Sequence, residues 1–391
     1  MVISMRPFEL EVFFSEWEFK AKHHMTASDV ESLSLSTLLQ MTDDTCQVQF
    51  DDLWLGYTET WGAPDLRHEI AATYDYMSDD NILCFAGAGE GIYVVMKCLL
   101  GADDHMIVPV PNYQSAETVP LDICAVTGVP MRFTASDNKD AGWSLDMDDV
   151  IAAIQPNTKA ISLNFPHNPT GYIPPLDEIM RLIEICREKG IYIFSDEVYR
   201  GIELDEADRL PQLVDLYEKA ISLNVMSKAY GLPGLRIGWI ASQDKELLQK
   251  AERYKHYLSI CNSAPSERLA VIALQQADKI LSRNRAILEK NVEALETLFA
   301  EWKTLFDWTR PKGGCVGYPR YNGPDGGEEF CKKLIETSGV LLLPSSIYHS
   351  ELCAPISHHF RIGFGRDSVF ENGLQALRTH LEVNYPDFKS T

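Results

Sequence analysis

The chain predicts an α/β fold built on a mostly parallel sheet. Short apolar runs, each the length of a buried strand, alternate with longer stretches of helical periodicity. Several of these runs end in turns rich in glycine, proline or asparagine. With 391 residues, the chain can bury a large core and make two domains.

The elements follow in order. Residues 7–22 place Phe8, Leu10, Val12, Phe13 and Phe19 among acids, the pattern of an amphipathic arm or helix. Glu18 on this arm is either a solvated carboxylate or one that points into a site. Residues 23–39 include the polar turn Thr26-Ala27-Ser28-Asp29-Val30-Glu31. Residues 56–63 form a turn, and Pro64 suits the start of a helix. Ile82 to Phe85 is a short strand. Ala86-Gly87-Ala88-Gly89-Glu90-Gly91 then opens a helix that continues to Leu100. A glycine turn at a helix N-terminus leaves free N–H groups and a positive dipole end, a seat for phosphate on the Ala88 and Gly89 amides. A dinucleotide site needs G-x-G-x-x-G; the spacing here is G-x-G-x-G, which suits a single phosphate better.

Met106 to Val110 is a strand leading to Tyr113, and Ala160 to Asn164 is another. The turn Asn168-Pro169-Thr170-Gly171 follows. Residues 190–194 run into Ser195-Asp196-Glu197-Val198-Tyr199, and a buried carboxylate at a strand end wants a cationic partner. Ile221, Leu223 and Val225 alternate as in a buried strand. Ser227-Lys228 comes next, then a break at Gly231, Pro233 and Gly234, then a second strand at Ile237 to Ile240. A lone loop lysine is ordinarily a surface residue. One held between two core strands is desolvated, which lowers its pKa and suits Schiff-base chemistry. From Asp244 the pattern turns helical, and the run from Lys279 to Trp302 is expected to bridge the domains.

The order of these parts resembles the class I/II aminotransferases, the fold-type I enzymes that use pyridoxal 5′-phosphate (PLP). The resemblance rests on Ser-Lys, a glycine-rich gap and Gly-Leu-Arg-Ile-Gly-Trp around Lys228, on Asn168 to Gly171, on Asp196 to Tyr199 and on Gly56 to Arg67. It covers the chain from about Tyr57 to Phe364. It implies Lys228 as the lysine that bonds the cofactor and Asp196 as the partner of the pyridine nitrogen. It assigns Asn168 and Tyr199 to the phenolic oxygen and Tyr113 to stacking on the ring. Ala88, Gly89, Ser227 and Arg236 would hold the phosphate. Tyr57 would reach the phosphate of a neighbouring subunit, giving a homodimer with shared sites. Arg361, in His359 to Gly365, would fork the substrate α-carboxylate. The resemblance also implies a large domain of residues 44–280 and a small domain of 1–43 plus 281–391.

Two departures stand out. The residue three before Lys228 is Val225, where the family usually has a phosphate-binding serine. The turn Thr26 to Glu31 stands where the family usually has a glycine-containing loop. With Trp17-Glu18-Phe19 and Asp29, this arm resembles that of family members acting on arginine, such as capreomycidine synthases and arginine oxidases. Glu18 and Asp29 are therefore candidates for a guanidino side chain.

The net charge of −22 argues against nucleic acid. Nine scattered cysteines without a C-x-x-C pair suggest a cytoplasmic protein with reduced thiols, and no metal site is expected. Acids inside the N-terminal apolar run argue against a signal peptide, and no run has the length of a membrane span. Transamination of an L-α-amino acid is the expected activity. The alternatives are elimination, cyclisation or oxidation of arginine or a similar amino acid, and a cofactor-binding regulator without turnover, against which the intact Lys228 and Arg361 count.

Overall fold

The computed structural model describes residues 5–42, 50, 52–135 and 141–390. The expected domain boundary at residue 44 lies outside the described residues. A seven-stranded sheet forms the centre. Its strands are β1 (Ile82–Phe85), β2 (His105–Val110), β3 (Ala125–Pro130), β4 (Thr158–Asn164), β5 (Tyr192–Asp196), β6 (Ala220–Val225) and β7 (Gly238–Ser242). The spatial order is β1-β7-β6-β5-β4-β2-β3. Neighbours from β6 through β3 pair parallel, whereas β7 runs antiparallel to both β1 and β6.

Strands β1, β2 and β6 are buried at every position. That is the pattern of a sheet covered on both faces, and it explains why these segments read as continuous apolar runs. Helices supply the cover. In α3 (Leu176–Lys189), Ile179, Leu182, Ile183 and Cys186 are the buried positions, a single stripe at helical spacing. Helix α2 (Ala88–Leu99) buries Ile92, Val94, Val95, Met96 and Leu99. Helix α4 (Lys245–Lys255) packs beside α2.

The register has one consequence for function. Because β7 is flanked by antiparallel partners, β1 and β6 point the same way, so the C-terminal ends of β1, β2, β4, β5 and β6 share one edge. The chain enters β7 at that edge too, with Gly238 opposite both Phe85 and Val225. Ligands of open α/β sheets bind outside such an edge.

The expected bridge is α5 (Ala277–Glu301), a 25-residue helix. Asn284 Nδ2 donates to the Ala229 carbonyl at 2.8 Å, beside Lys228, and Asn291 Nδ2 donates to the Phe364 carbonyl at 3.0 Å. Beyond it lie the short strands β8 (Val316–Gly317), β9 (Leu343–Pro344) and β10 (Phe360–Gly363), in the order β8-β10-β9. They pack with α6 (Gly327–Ser338), which in turn packs on α7 (Asp367–Asn384). The N-terminal segment joins this part: His23–His24 pairs parallel with Val340–Leu341. The arm before it forms helix α1 (Glu9–Trp17). Residues 311–314 are loop, joined to the rest through the Glu203–Gly313 bridge.

Candidate active site

A cavity of about 320 Å³ opens at the shared strand edge. Its wall includes Asp29, Ala88, Gly89, Tyr113, Asn168, Asp196, Tyr199, Ser227, Lys228 and Arg236. Strand ends deliver most of these groups, because each parallel strand releases its chain at the same edge.

Lys228 follows β6 by three residues. The loop is fixed by Met226 N donating to Ile237 O, Gly231 N to Lys228 O and Ala229 N to Val198 O. Nζ donates to Ser28 Oγ at 3.0 Å. Burial pushes the Lys228 pKa below its ordinary value; Arg361 adds to this, while Asp29, Cys315 and Asp196 oppose it. Asp196 ends β5. Burial raises its carboxyl to about 7, with Glu197 adding to the rise and the Val198 amide and Lys228 opposing it. Val198 N donates to Asp196 Oδ1 at 3.2 Å, and Asn164 Nδ2 donates to the Asp196 carbonyl at 3.0 Å.

The other end of the cavity is an anion seat. Helix α2 starts at Ala88 with no side-chain cap, so its first amides are free for a ligand. Gly87 before it has φ +100°, and an added Cβ would strike the Arg236 guanidinium. Gly238 must be small as well, since its Cβ would meet the Ala88 nitrogen at 2.9 Å. Arg236 Nη1 donates to Ser227 Oγ at 3.3 Å, and among the described residues this guanidinium forms no ion pair. Glu90, which would repel an anion, is turned back to accept from Ala86 N and Ser259 N. Val225 is buried on the wall and offers no hydroxyl, so Ser227 is the serine at this end.

Arg361 lies on β10, fully buried, behind Asn168 rather than on the wall. Its Nη1 donates to Asn168 Oδ1 at 3.3 Å and to the Tyr348 hydroxyl at 2.7 Å, and its Nη2 donates to the Thr26 carbonyl at 2.6 Å. Among the described residues it forms no ion pair with a carboxylate. A buried guanidinium facing only neutral oxygens is set to take an anion.

Three expected residues fall elsewhere or are engaged. Asp29 lines the cavity, yet Arg366 forks both its oxygens at 2.8 and 2.9 Å. Glu18 caps the end of α1 and is not on the wall; Glu11, seven residues earlier on the same helix face, is. Tyr57 is 84% exposed and outside the cavity of its own chain. The sequence reading missed Glu11, Ser28, Asn164 and Tyr348. Asn164 could have been read from its position at a strand end. Tyr348 carries no local signal, because a short 3₁₀ turn and the chain's return bring its hydroxyl to Arg361.

These residues fit PLP. The uncapped helix end with Arg236 and Ser227 suits a phosphate dianion, the buried Asp196 a cationic ring nitrogen, and the desolvated Lys228 an aldehyde. Comparison with known proteins agrees. The family model described as "Aminotransferase class I and II" matches residues 36–377. A capreomycidine synthase from Streptomyces vinaceus is 25% identical over 375 residues, covering 95% of this chain and 93% of that one. The crystal structure of a PLP-dependent aminotransferase from Streptococcus suis superposes with a TM-score of 0.88 at 28% identity, covering 100% of both chains. That of a PLP-dependent cyclase, OrfR, gives 0.85 at 26% identity, covering 98% of this chain and 100% of that one. From its strand-edge lysine to the buried arginine of its smaller sheet, this chain belongs to the class I and II aminotransferases, fold-type I enzymes that work with pyridoxal 5′-phosphate.

Proposed function

We propose that this aminotransferase processes an L-α-amino acid with Lys228 as the reacting amine. One observation carries the reading: a half-buried lysine with a lowered pKa shares a cavity with a half-buried carboxylate and an uncapped helix end. When bound, PLP supplies an electron sink that makes the α-C–H bond acidic. Asp196 would hold the proton on the ring nitrogen, Asn168 and Tyr199 would face the phenolic oxygen, and Tyr113 would cover the ring. Ala88, Gly89, Ser227 and Arg236 would take the phosphate. Arg361 binds the α-carboxylate and so fixes which C–H bond faces Lys228. Lys228, whose pKa desolvation lowers, would accept that proton and return it at a different carbon.

The test is direct. Borohydride reduction of the yellow enzyme, followed by peptide mass spectrometry, should place the cofactor on Lys228. An amino-acid panel should turn over only when an α-keto acid is supplied. Label on another lysine would overturn the assignment.

Glu11 on the cavity wall favours a second reading, a substrate with a cationic guanidino side chain. Among the described residues Glu11 forms no ion pair, whereas Asp29 is held by Arg366. The likeness to a capreomycidine synthase and a cyclase supports the same reading. Turnover of arginine without an acceptor would select it.

A homodimer with shared sites is part of the proposal. Tyr57 projects from the fold at 84% exposure, beside the exposed Trp54 and Leu55. Thr58 Oγ1 ties this loop to the Asn262 carbonyl, next to the exposed Tyr257, Leu258 and Ile260. Such a patch on one face suits a second copy. Sedimentation at micromolar concentration should give twice the 44.1 kDa chain mass. We also propose the division into residues 44–280 and 1–43 plus 281–391; the central sheet within 82–242 and the pairing of His23–His24 with Val340–Leu341 support it. No described helix is long and apolar enough to cross a membrane. The eight described cysteines are free thiols, which supports a cytoplasmic location.

A further inference from the structure

The turn Thr26 to Glu31 stands where the family usually has a glycine-containing loop, and the reading above uses none of its hydroxyls. It is pinned along its length. Arg361 donates to the Thr26 carbonyl and hydroxyl, and Arg366 forks Asp29. Glu31 N donates to the Gly365 carbonyl at 2.8 Å, and Arg283 Nη1 donates to the Glu31 carbonyl at 2.8 Å. Ser28 sits in the middle. Its carbonyl accepts from the Tyr199 hydroxyl at 3.1 Å, and its hydroxyl accepts from Lys228 Nζ at 3.0 Å. Among the described residues, Nζ makes no other hydrogen bond.

We propose that Ser28 is a catalytic residue: its hydroxyl holds the free Lys228 amine in the cavity and stabilises the ammonium formed when Lys228 takes the substrate's α-proton. This rests on Lys228 being the reacting amine. In that step the α-C–H bond breaks and an N–H bond forms at Nζ. The electron pair stays on the substrate carbon, drawn toward the bound cofactor. A new ammonium needs acceptors. The charged and titratable groups that face Nζ are Asp29, Asp196, Cys315 and Arg361. Arg366 already engages Asp29 through both oxygens, Cys315 is a neutral thiol pushed up to about 12 by burial, and Arg361 repels. The Ser28 hydroxyl is the neutral acceptor in contact. Because its backbone is fixed on both sides, it needs no reorganisation when the charge appears. A glycine at this position has no such group.

Ser28→Ala removes Oγ and keeps the carbonyl that Tyr199 uses. In the apoprotein, competitive acetylation across pH with peptide mass spectrometry reads the Lys228 pKa directly. Ser28→Ala should lower it by about one unit, the loss of one charge-assisted hydrogen bond. Ser28→Thr should restore it. In the holoenzyme, a weaker base should move the acid limb of kcat to lower pH and slow α-proton exchange into D₂O about tenfold, with KM unchanged. If Ser28→Ala does not fold, Ser28→Gly removes the same hydroxyl and carries the test. Wild-type titration of Lys228 in the variant, with a superimposable kcat profile, overturns the proposal. Borohydride label on another lysine would instead overturn the reading beneath it.

Discussion

Asp196 is a carboxylate that folding has placed where it cannot easily ionise, and replacing it should reveal a stability cost. Its ordinary value of 3.8 is raised to about 7 by burial. Below 3.8 the group is protonated in both the folded and unfolded chains and costs nothing. As pH rises, the unfolded carboxyl ionises first, so stability falls until the folded carboxyl follows near 7. Of the roughly three pH units involved, about two lie between pH 5 and 8. At about 1.4 kcal/mol each, that gives a ceiling of about 3 kcal/mol. The carboxyl opens onto a cavity that admits water, and this screening brings the figure to about 1.5 kcal/mol. With an unfolding entropy of about 2.1 cal/mol/K per residue, the chain should shift by about 2 °C. The assay is thermal unfolding of apo wild type and Asp196→Asn at pH 5 and pH 8. Asparagine keeps the shape and does not titrate, so other groups cancel in the difference. The variant should gain about 2 °C over wild type between the two pH values. Added PLP, with its cationic ring nitrogen, should remove or reverse that gain by stabilising the wild type. A gap equal within 0.5 °C at both pH values would refute the claim that burial sets the state of Asp196.

Three further outcomes are expected. Arg361→Lys should lower kcat/KM about 10- to 100-fold, because a point charge cannot fork a carboxylate; the loss should vanish for substrates lacking that group. Gly87→Ala should weaken PLP about 100-fold, since the new Cβ displaces the Arg236 guanidinium and φ +100° disfavours alanine; pyridoxal, which has no phosphate, should bind as before in a fluorescence titration. Glu11→Gln should raise KM for arginine about tenfold and leave leucine unchanged, whereas Glu18→Gln should alter neither; equal kinetics with arginine would sink the guanidino reading.

How far each prediction could be framed without coordinates depends on how its residues are placed. Lys228, Asp196, Asn168, Tyr113 and the Ala88 turn sit within a few residues of a strand end. A buried parallel strand declares itself by an apolar run, so local pattern put each of these residues near a strand end, and the resemblance to the aminotransferases grouped them into one site. Chain order and turn chemistry also put a helix start within Ala86 to Gly91 and a long helix from Lys279 to Trp302, against the observed Ala88–Leu99 and Ala277–Glu301.

The remaining placements depended on distant segments. Whether Glu11 or Glu18 faces the cavity depends on where the single helix α1 is anchored, through Glu9 N on Gln114 Oε1 and Phe8 against the Tyr113 ring at 5.1 Å. Asp29 was legible as a site acid, but not its fork by Arg366, 337 residues away. Ser28 reaches Lys228 across 200 residues, and Tyr348 reaches Asn168 across 180. The sequence by itself determined the sheet, which follows from periodicity and from turns a few residues long, and its resemblance to the aminotransferases pointed to the cofactor and to Lys228 as the candidate lysine. Only the tertiary structure decided which oxygens meet that lysine and which arginine stays without a carboxylate, because loop docking is set by packing between segments that no local pattern relates.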